Sequence, residues 1–281
     1  MWPEAIRAVR DILPAAFVFE NVKGLLRPAF ADYVRWITRY LENPQLVREE
    51  GESHLQHLGR LEQARPDAIY SVSVNAVNAA DYGAPQKRNR VIIVGVRKDV
   101  AALPDFPAPT HSQASLAWDK WISGSYWLRH GLPMPAPSAI PAYEARLVES
   151  LRKLDCPPSG HAWRTCRDAF LGLGDPSSSC VSNHVFQSGA RSYPGHTGSP
   201  IDEPAKALKA GVHGVPGGEN MLALEDGSVR YFSIREAARL QGFPDSFEFP
   251  GSWSESMRQI GNAVPVQLAT AVGKWLREVL D

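Results

Sequence analysis

Neither sign of charge is in surplus in this sequence, where 30 lysines and arginines face 30 aspartates and glutamates across 281 residues. No overall positive field therefore advertises a nucleic-acid partner, and any such role must rest on particular residues. Cysteine is scarce too. Cys156, Cys166 and Cys180 form an odd set without metal-ligand spacing, which excludes a disulfide framework and gives no zinc signature. A reduced, cytoplasmic setting is the expectation. No apolar run is long enough to span a bilayer, so no membrane partner is expected. Glu4, Arg7, Arg10 and Asp11 interrupt the N-terminal residues where a signal peptide needs an unbroken apolar core. There is no internal repeat.

What is present is ordinary globular composition, 44% hydrophobic and 21% charged, enough for one large domain or two modest ones. Ile6, Val9, Ile12 and Leu13 recur at helical spacing between Pro3 and Pro14, which predicts a helix over Trp2 to Leu13. Ala15 to Phe19 is a short unbroken apolar run that suits a strand buried on both faces of a parallel sheet. A helix from about Phe30 to Glu42 leads through the polar stretch 43–64 to a strand near Ile69 to Val77. After a turn at Asp81 to Pro85, the β-branched run Val91 to Val96 is the strongest strand signal in the chain. This alternation predicts an α/β sheet.

After Asp99 the character changes. Pro104, Pro107, Pro109, Pro133, Pro135, Pro137 and Pro141 punctuate a stretch with weak periodicity, so a domain boundary is expected there, with a loop-heavy smaller domain to about Arg230. Regular structure is expected to return at Ser233, which can cap a short helix over Ile234 to Leu240. A terminal helix from about Pro265 to Leu280 carries Leu268, Val272, Trp275, Leu276 and Val279 on one face.

Three segments carry chemistry. Glu20-Asn21-Val22 places a carboxylate just past a strand, where open α/β sheets bind ligands, although a polar strand exit reads the same way. Gln86-Lys87-Arg88-Asn89-Arg90 sets two arginines at alternate positions before the strongest strand. Such guanidinium groups suit phosphates and base-edge acceptors, or simply guard a strand edge. Gly261-Asn262-Ala263-Val264-Pro265 puts a Gly and an Asn before the terminal helix, to hold a polar ligand on backbone N–H groups or to cap the helix.

In this order, together with Arg235-Glu236-Ala237-Ala238-Arg239-Leu240-Gln241-Gly242-Phe243-Pro244-Asp245-Ser246-Phe247, the segments resemble the last blocks of DNA cytosine carbon-5 methyltransferases. The middle stretches Gly189 to Ser199 and Gly211 to Asn220 resemble a bacterial branch of that family. The resemblance implies an α/β fold, the C-terminal half of a Rossmann-like S-adenosylmethionine-dependent methyltransferase sheet, plus a small loop-rich target-recognition domain. Residues 1–100 would be catalytic, 101–230 would recognise the target, and 231–281 would form a hinge and a helix returning to the catalytic domain.

In that family a cytosine is flipped from the duplex, a cysteine thiolate adds to carbon 6, and carbon 5 takes the methyl group. Carried over by motif, Glu20 would hydrogen-bond ring nitrogen 3 and the exocyclic amine. Arg90 would contact the carbonyl oxygen, and Arg88 would lie near the DNA backbone or the nucleophile. Asn262 and Ala263 would face the cofactor, S-adenosylmethionine. Arg235 and Glu236 would brace the small domain against the large one. DNA contacts would fall to Arg88, Arg191, Tyr193 and His196, with His184 a further candidate.

The family's Gly-rich cofactor loop and Pro-Cys-Gln nucleophile loop belong before the Glu-Asn-Val block, and the residues before Glu20 suffice only for one helix and one strand. None of the three cysteines replaces the nucleophile: Cys156 precedes its prolines, Cys166 reads as a small buried hydrophobe, and Cys180 has no activating neighbour. The expectation is a C-terminal part or subunit that acts on double-stranded DNA with a complementing N-terminal subunit and is inactive alone. A non-catalytic DNA-recognition module or a truncated remnant is the alternative.

Overall fold

A computed structural model describes residues 2–194, 197–210 and 220–281. Along the chain, α1 (Trp2–Ile12), β1 (Ala16–Val22), α2 (Ala31–Glu42), α3 (His54–Gln63) and β2 (Tyr70–Asn78) come first. Next come β3 (Gln86–Lys87), β4 (Asn89–Arg97), β5 (His111–Ser112), α4 (Gln113–Trp121), α5 (Ser125–Arg129), α6 (Ala142–Leu151), β6 (His161–Ala162) and α7 (Cys166–Phe170). The last elements are β7 (Ser199–Pro200), β8 (Ala205–Lys206), β9 (Met221–Ala223), β10 (Val229–Tyr231), α8 (Ile234–Gln241), α9 (Trp253–Asn262) and α10 (Val266–Leu280). Two compact units divide them: Met1–Val77 with Asn89–Pro107 and Ala271–Asp281, and Asn78–Arg88 with Ala108–Thr270.

In the first unit a sheet of order β1-β4-β2 packs on helices. β1 and β4 pair antiparallel, Phe17 opposite Gly95 and Phe19 opposite Ile93. Lys98 N–H donates to Ile69 O at 2.9 Å, while the Asn75 amide reaches Ile92 O at 3.4 Å. Rising numbers on β2 thus meet falling numbers on β4, and β4 runs opposite to both neighbours.

The expectation of a parallel sheet is corrected here, because an unbroken apolar run specifies burial but not direction. Nor is β1 buried on both faces. Phe17 and Phe19 enter the core, while Val18 and Val22 are exposed, the alternation that a strand imposes. That core joins Trp2, Ile6 and Val9 of α1 to Trp36, Ile37, Tyr40 and Leu41 of α2 and to Leu58 and Leu61 of α3. α3 falls in the stretch read as polar, where Ser53 and Gln56 close a capping box at its start.

The second unit has two cores, one around Cys166, Leu208, Phe232, Leu240 and Ile260. The other gathers Leu116, Trp121, Tyr126, Trp127, Val148 and Leu151. Between 101 and 230 most of the described residues lie outside helices and strands, as expected, and α4 to α7 with short strands supply the regular structure there. α4 and α6 occupy gaps between prolines, and Pro141 itself stands at the N-cap of α6, where its missing N–H costs nothing. Lys120 is buried against Glu203 at 2.7 Å and Glu144 at 3.6 Å, and the Trp121 indole N–H donates to Glu144 at 2.7 Å. Burial, together with the neighbouring Glu203, raises the Glu144 carboxyl above its ordinary range.

Among the described residues no helix is long and apolar enough to cross a membrane, and no cluster of His, Cys, Asp and Glu is arranged to hold a metal.

Candidate active site

Glu20 sits opposite Ile92, and Arg90 sits opposite Val22. The two are diagonal neighbours on one face of the antiparallel pair. Their side chains meet as an ion pair, Glu20 Oε1 against Arg90 Nε. Neither of these buried atoms has a hydrogen-bond partner among the described residues. The contact is a charge pairing with unused hydrogen-bonding capacity, an arrangement suited to a ligand that brings its own donors and acceptors. Arg90 also donates from Nη1 to Asn89 O at 2.8 Å, and the Asn21 side chain accepts from Val22 N–H at 2.8 Å, closing the end of β1.

Arg88 lies elsewhere. It belongs to the second unit, is only 2% exposed, and donates to Leu208 O at 2.8 Å, Gly261 O at 2.7 Å and Ala263 O at 3.1 Å. The expectation that it contacts DNA or the nucleophile is corrected, because its terminal nitrogens are engaged by carbonyls of its own chain. The extended chain is broken at residue 88, between β3 and β4. Two glutamines that the motif reading passed over complete this cluster. Gln86 donates to Leu240 O and to Gln241 Oε1, both at 2.8 Å, and Gln241 donates to Ile260 O at 2.5 Å and Ala263 O at 3.1 Å.

Gly261 is required where it stands. A Cβ there would lie 2.5 Å from Ala210 N and 2.6 Å from Lys209 C, backbone atoms that cannot step aside. Asn262 is the last residue of α9 and Ala263 its C-cap, so capping of the terminal helix by Asn262 does not occur. The Asn262 side chain is exposed. The Ala263 carbonyl is already held by Arg88 and Gln241.

Arg235 and Glu236 are fully turned inward within the second unit. Arg235 donates to Ser182 O at 3.1 Å, Pro244 O at 3.3 Å and Phe247 O at 3.0 Å. Glu236 takes both ends of the Arg230 guanidinium at 2.6 and 2.7 Å and closes a capping box with Ser233. His184 is buried between Ser233 Oγ at 2.7 Å and Gly174 O at 3.2 Å, so its candidacy as a DNA contact is withdrawn. Arg191 and Tyr193 are exposed. His196 and the stretch from Gly211 to Glu219 lie outside the described residues. Cys166 is completely buried, and burial pushes its thiol well up, the reverse of an activated nucleophile.

The family model for C-5 cytosine-specific DNA methylases matches residues 1–126 and 161–278. The Type II methyltransferase M.FnuDI of Fusobacterium nucleatum is 29% identical over 99% of this chain and 68% of that protein. M.NgoFVII of Neisseria gonorrhoeae is 30% identical over 98% of this chain and 61% of its own length. The chain thus spans 61 to 68% of these two relatives. Among solved structures, the S. pombe Dnmt2 methyltransferase aligns over 99% of this chain and 73% of that one, with a TM-score of 0.50 at 16% identity, a likeness of fold.

Proposed function

The chain belongs to the C-5 cytosine-specific DNA methylase family, and we propose that it takes part in moving a methyl group from S-adenosylmethionine to carbon 5 of a cytosine flipped out of double-stranded DNA. The observation that carries this reading is the Glu20 and Arg90 pair, held on one face of β1 and β4 with facing atoms that lack hydrogen-bond partners. A cytosine brings what they lack. Its exocyclic amine donates to the Glu20 carboxylate, and ring nitrogen 3 shares a proton with that carboxyl group as negative charge develops during nucleophilic attack. Its carbonyl oxygen accepts from Arg90. The ion pair keeps both side chains on the same face before the base arrives.

S-adenosylmethionine supplies the transferable methyl when bound. Of the two residues matched to its block, Asn262 has an exposed amide to offer, whereas the Ala263 carbonyl is engaged. Residues 1–100 contribute to the catalytic domain in this reading, and 101–230 contribute target recognition, with Arg191 and Tyr193 as the exposed candidates for DNA contact.

The sequence contains neither a Pro-Cys-Gln loop nor the Gly-rich cofactor loop, and the buried Cys166 is no substitute. In this reading the thiolate and the cofactor loop are supplied by residues other than these 281. The same observation favours a second reading, DNA recognition without chemistry. Incorporation of labelled methyl groups into DNA decides between them, measured with this chain alone and with a fragment carrying both loops from a relative. The expected result is no incorporation alone and recovery on complementation. In the recovered enzyme Glu20→Gln lowers the rate by about 10² to 10⁴, since the amide cannot share the proton. Robust transfer by these 281 residues alone overturns the assignment of the thiolate to residues outside them, and an unaffected Glu20→Gln overturns the role of Glu20.

A further inference from the structure

The second unit carries a cavity of about 440 Å³ whose lining includes Asp119, Asp168, Arg129 and His130. These four form one linked set. Arg129 reaches Asp119 and Asp168 at 3.3 Å each, and His130 Nε2 lies 3.0 Å from Asp168. The other oxygen of Asp168 accepts from the Thr165 N–H at 2.8 Å and hydroxyl at 2.9 Å. Both oxygens of Asp168 are therefore engaged, and Asp119 is engaged through one of its two.

Two further residues of the same cavity stand outside that set. Arg164 and His161 are exposed, and their side chains make no hydrogen bond or ion pair among the described residues. The His161 ring instead lies 5.1 Å from that of His111. Burial first, and then the closeness of His161 and Arg164, hold His111 below its ordinary value.

We propose that Arg164 and His161 hold a phosphate of the DNA backbone at this cavity. The proposal rests on the DNA-methylase reading and adds to it a contact that no motif identifies. Its chemistry follows from what remains available. A base edge offers donors as well as acceptors, and recognising it takes both kinds of group from the protein. Here the side chains without a hydrogen-bond partner among the described residues, Arg164 and His161, bring N–H donors, which match a phosphate with its acceptor oxygens. Leu171, apolar and exposed on the same lining, suits a neighbouring deoxyribose. With a net charge of zero, the protein has no general field to hold DNA, so side chains with free donors matter more.

The test is equilibrium binding of the full chain to several unrelated DNA duplexes over a range of salt concentrations. Arg164→Ala weakens all duplexes alike, by roughly three- to tenfold at low salt, and lowers the slope of log K against log salt by about one. Arg164→Lys keeps the slope, and Arg7→Ala, which removes an arginine paired to acids of its own helix, changes neither quantity. Inorganic phosphate competes no better than chloride at equal ionic strength. A wild-type chain that binds DNA while Arg164→Ala behaves identically overturns this proposal and leaves the DNA-methylase reading standing. A variant that changes the ranking among duplexes overturns it in favour of a base contact, and selective competition by phosphate overturns it in favour of a free-anion site. Failure of the wild-type chain to bind any duplex removes both readings together.

Discussion

Replacing Arg88 separates the two roles an arginine in the Gln-x-Arg-x-Arg segment can have. Its guanidinium donates to the carbonyls of Leu208, Gly261 and Ala263 at 2.8, 2.7 and 3.1 Å from a site only 2% exposed. Arg88→Met keeps much of the volume and removes every donor. The Ala263 carbonyl retains Gln241, so the damage concentrates on Leu208 and Gly261. Each buried carbonyl that loses a partner costs about 1–3 kcal/mol, and the apolar replacement returns a little of that through packing. The net expectation is a loss of about 3 kcal/mol. Arg88→Lys carries one ammonium where a planar fork serves three oxygens, and it should recover less than half of the loss.

Urea unfolding followed by tryptophan fluorescence reads the loss. Hydrogen exchange of a peptide covering residues 259–264 localises it. An unchanged urea midpoint, with exchange at 259–264 as slow as in the parent, would refute the reasoning, and weakened DNA binding in such a stable variant would restore Arg88 as a DNA contact.

Gly95 lies beneath an aromatic ring, and a methyl group there would stand 2.1 Å from Cζ of Phe17. Gly95→Ala should destabilise the chain by about 2–3 kcal/mol, and adding Phe17→Leu should recover part of this; additive urea midpoints in the double variant would show the contact to be irrelevant. His57 is buried with Trp36 Nε1 donating to its Nδ1 at 3.2 Å and its Nε2 lying 2.7 Å from Leu46 O, which specifies the neutral ring with its proton on Nε2. Burial lowers its proton affinity, so the unfolded chain protonates first as pH falls below about 6.5. The stability it contributes is complete above that value and is lost as pH falls towards the folded-state value. Unfolding midpoints measured from pH 7.5 to 5 should therefore fall more steeply in the parent than in His57→Gln, and parallel profiles would contradict this.

Elements with a clean period or a cap were legible from residues alone: α1, α2, β2, β4, the Ser233 start of α8, and α10. The missed ones share a cause. α3 packs through Leu58, Leu61 and the buried His57, and a pattern that scores histidine as polar sees only part of that face. α4 and α6 bury Lys120 and Glu144, which satisfy each other and Glu203 inside the unit. Charged residues at core positions erase the apolar stripe that marks a helix. At the site, motif order identified Glu20 and Arg90, whose pairing needs only the register of two strands. The inward turn of Arg88 and His184 depended on groups far away in sequence, the carbonyls of Leu208, Gly261 and Ala263 and the hydroxyl of Ser233, which no local pattern displays.

The stretch from Gln86 to Arg90 shows why residue spacing misleads when an element is interrupted. Residues two apart share a face only if the strand between them is continuous. β3 pairs in parallel with β8, whereas β4 pairs antiparallel with β1, and Arg88 stands between them. The two arginines therefore serve different compact units. Arg88 closes carbonyls in one, and Arg90 meets Glu20 in the other. A segment built this way puts a buried anchor two residues before an ion-paired side chain. The anchor is taken up by three carbonyls, whereas the second arginine meets a carboxylate. Exchanging the two roles would leave a buried guanidinium without its carbonyls and Glu20 without its partner, so the arginines are not interchangeable despite their identical chemistry.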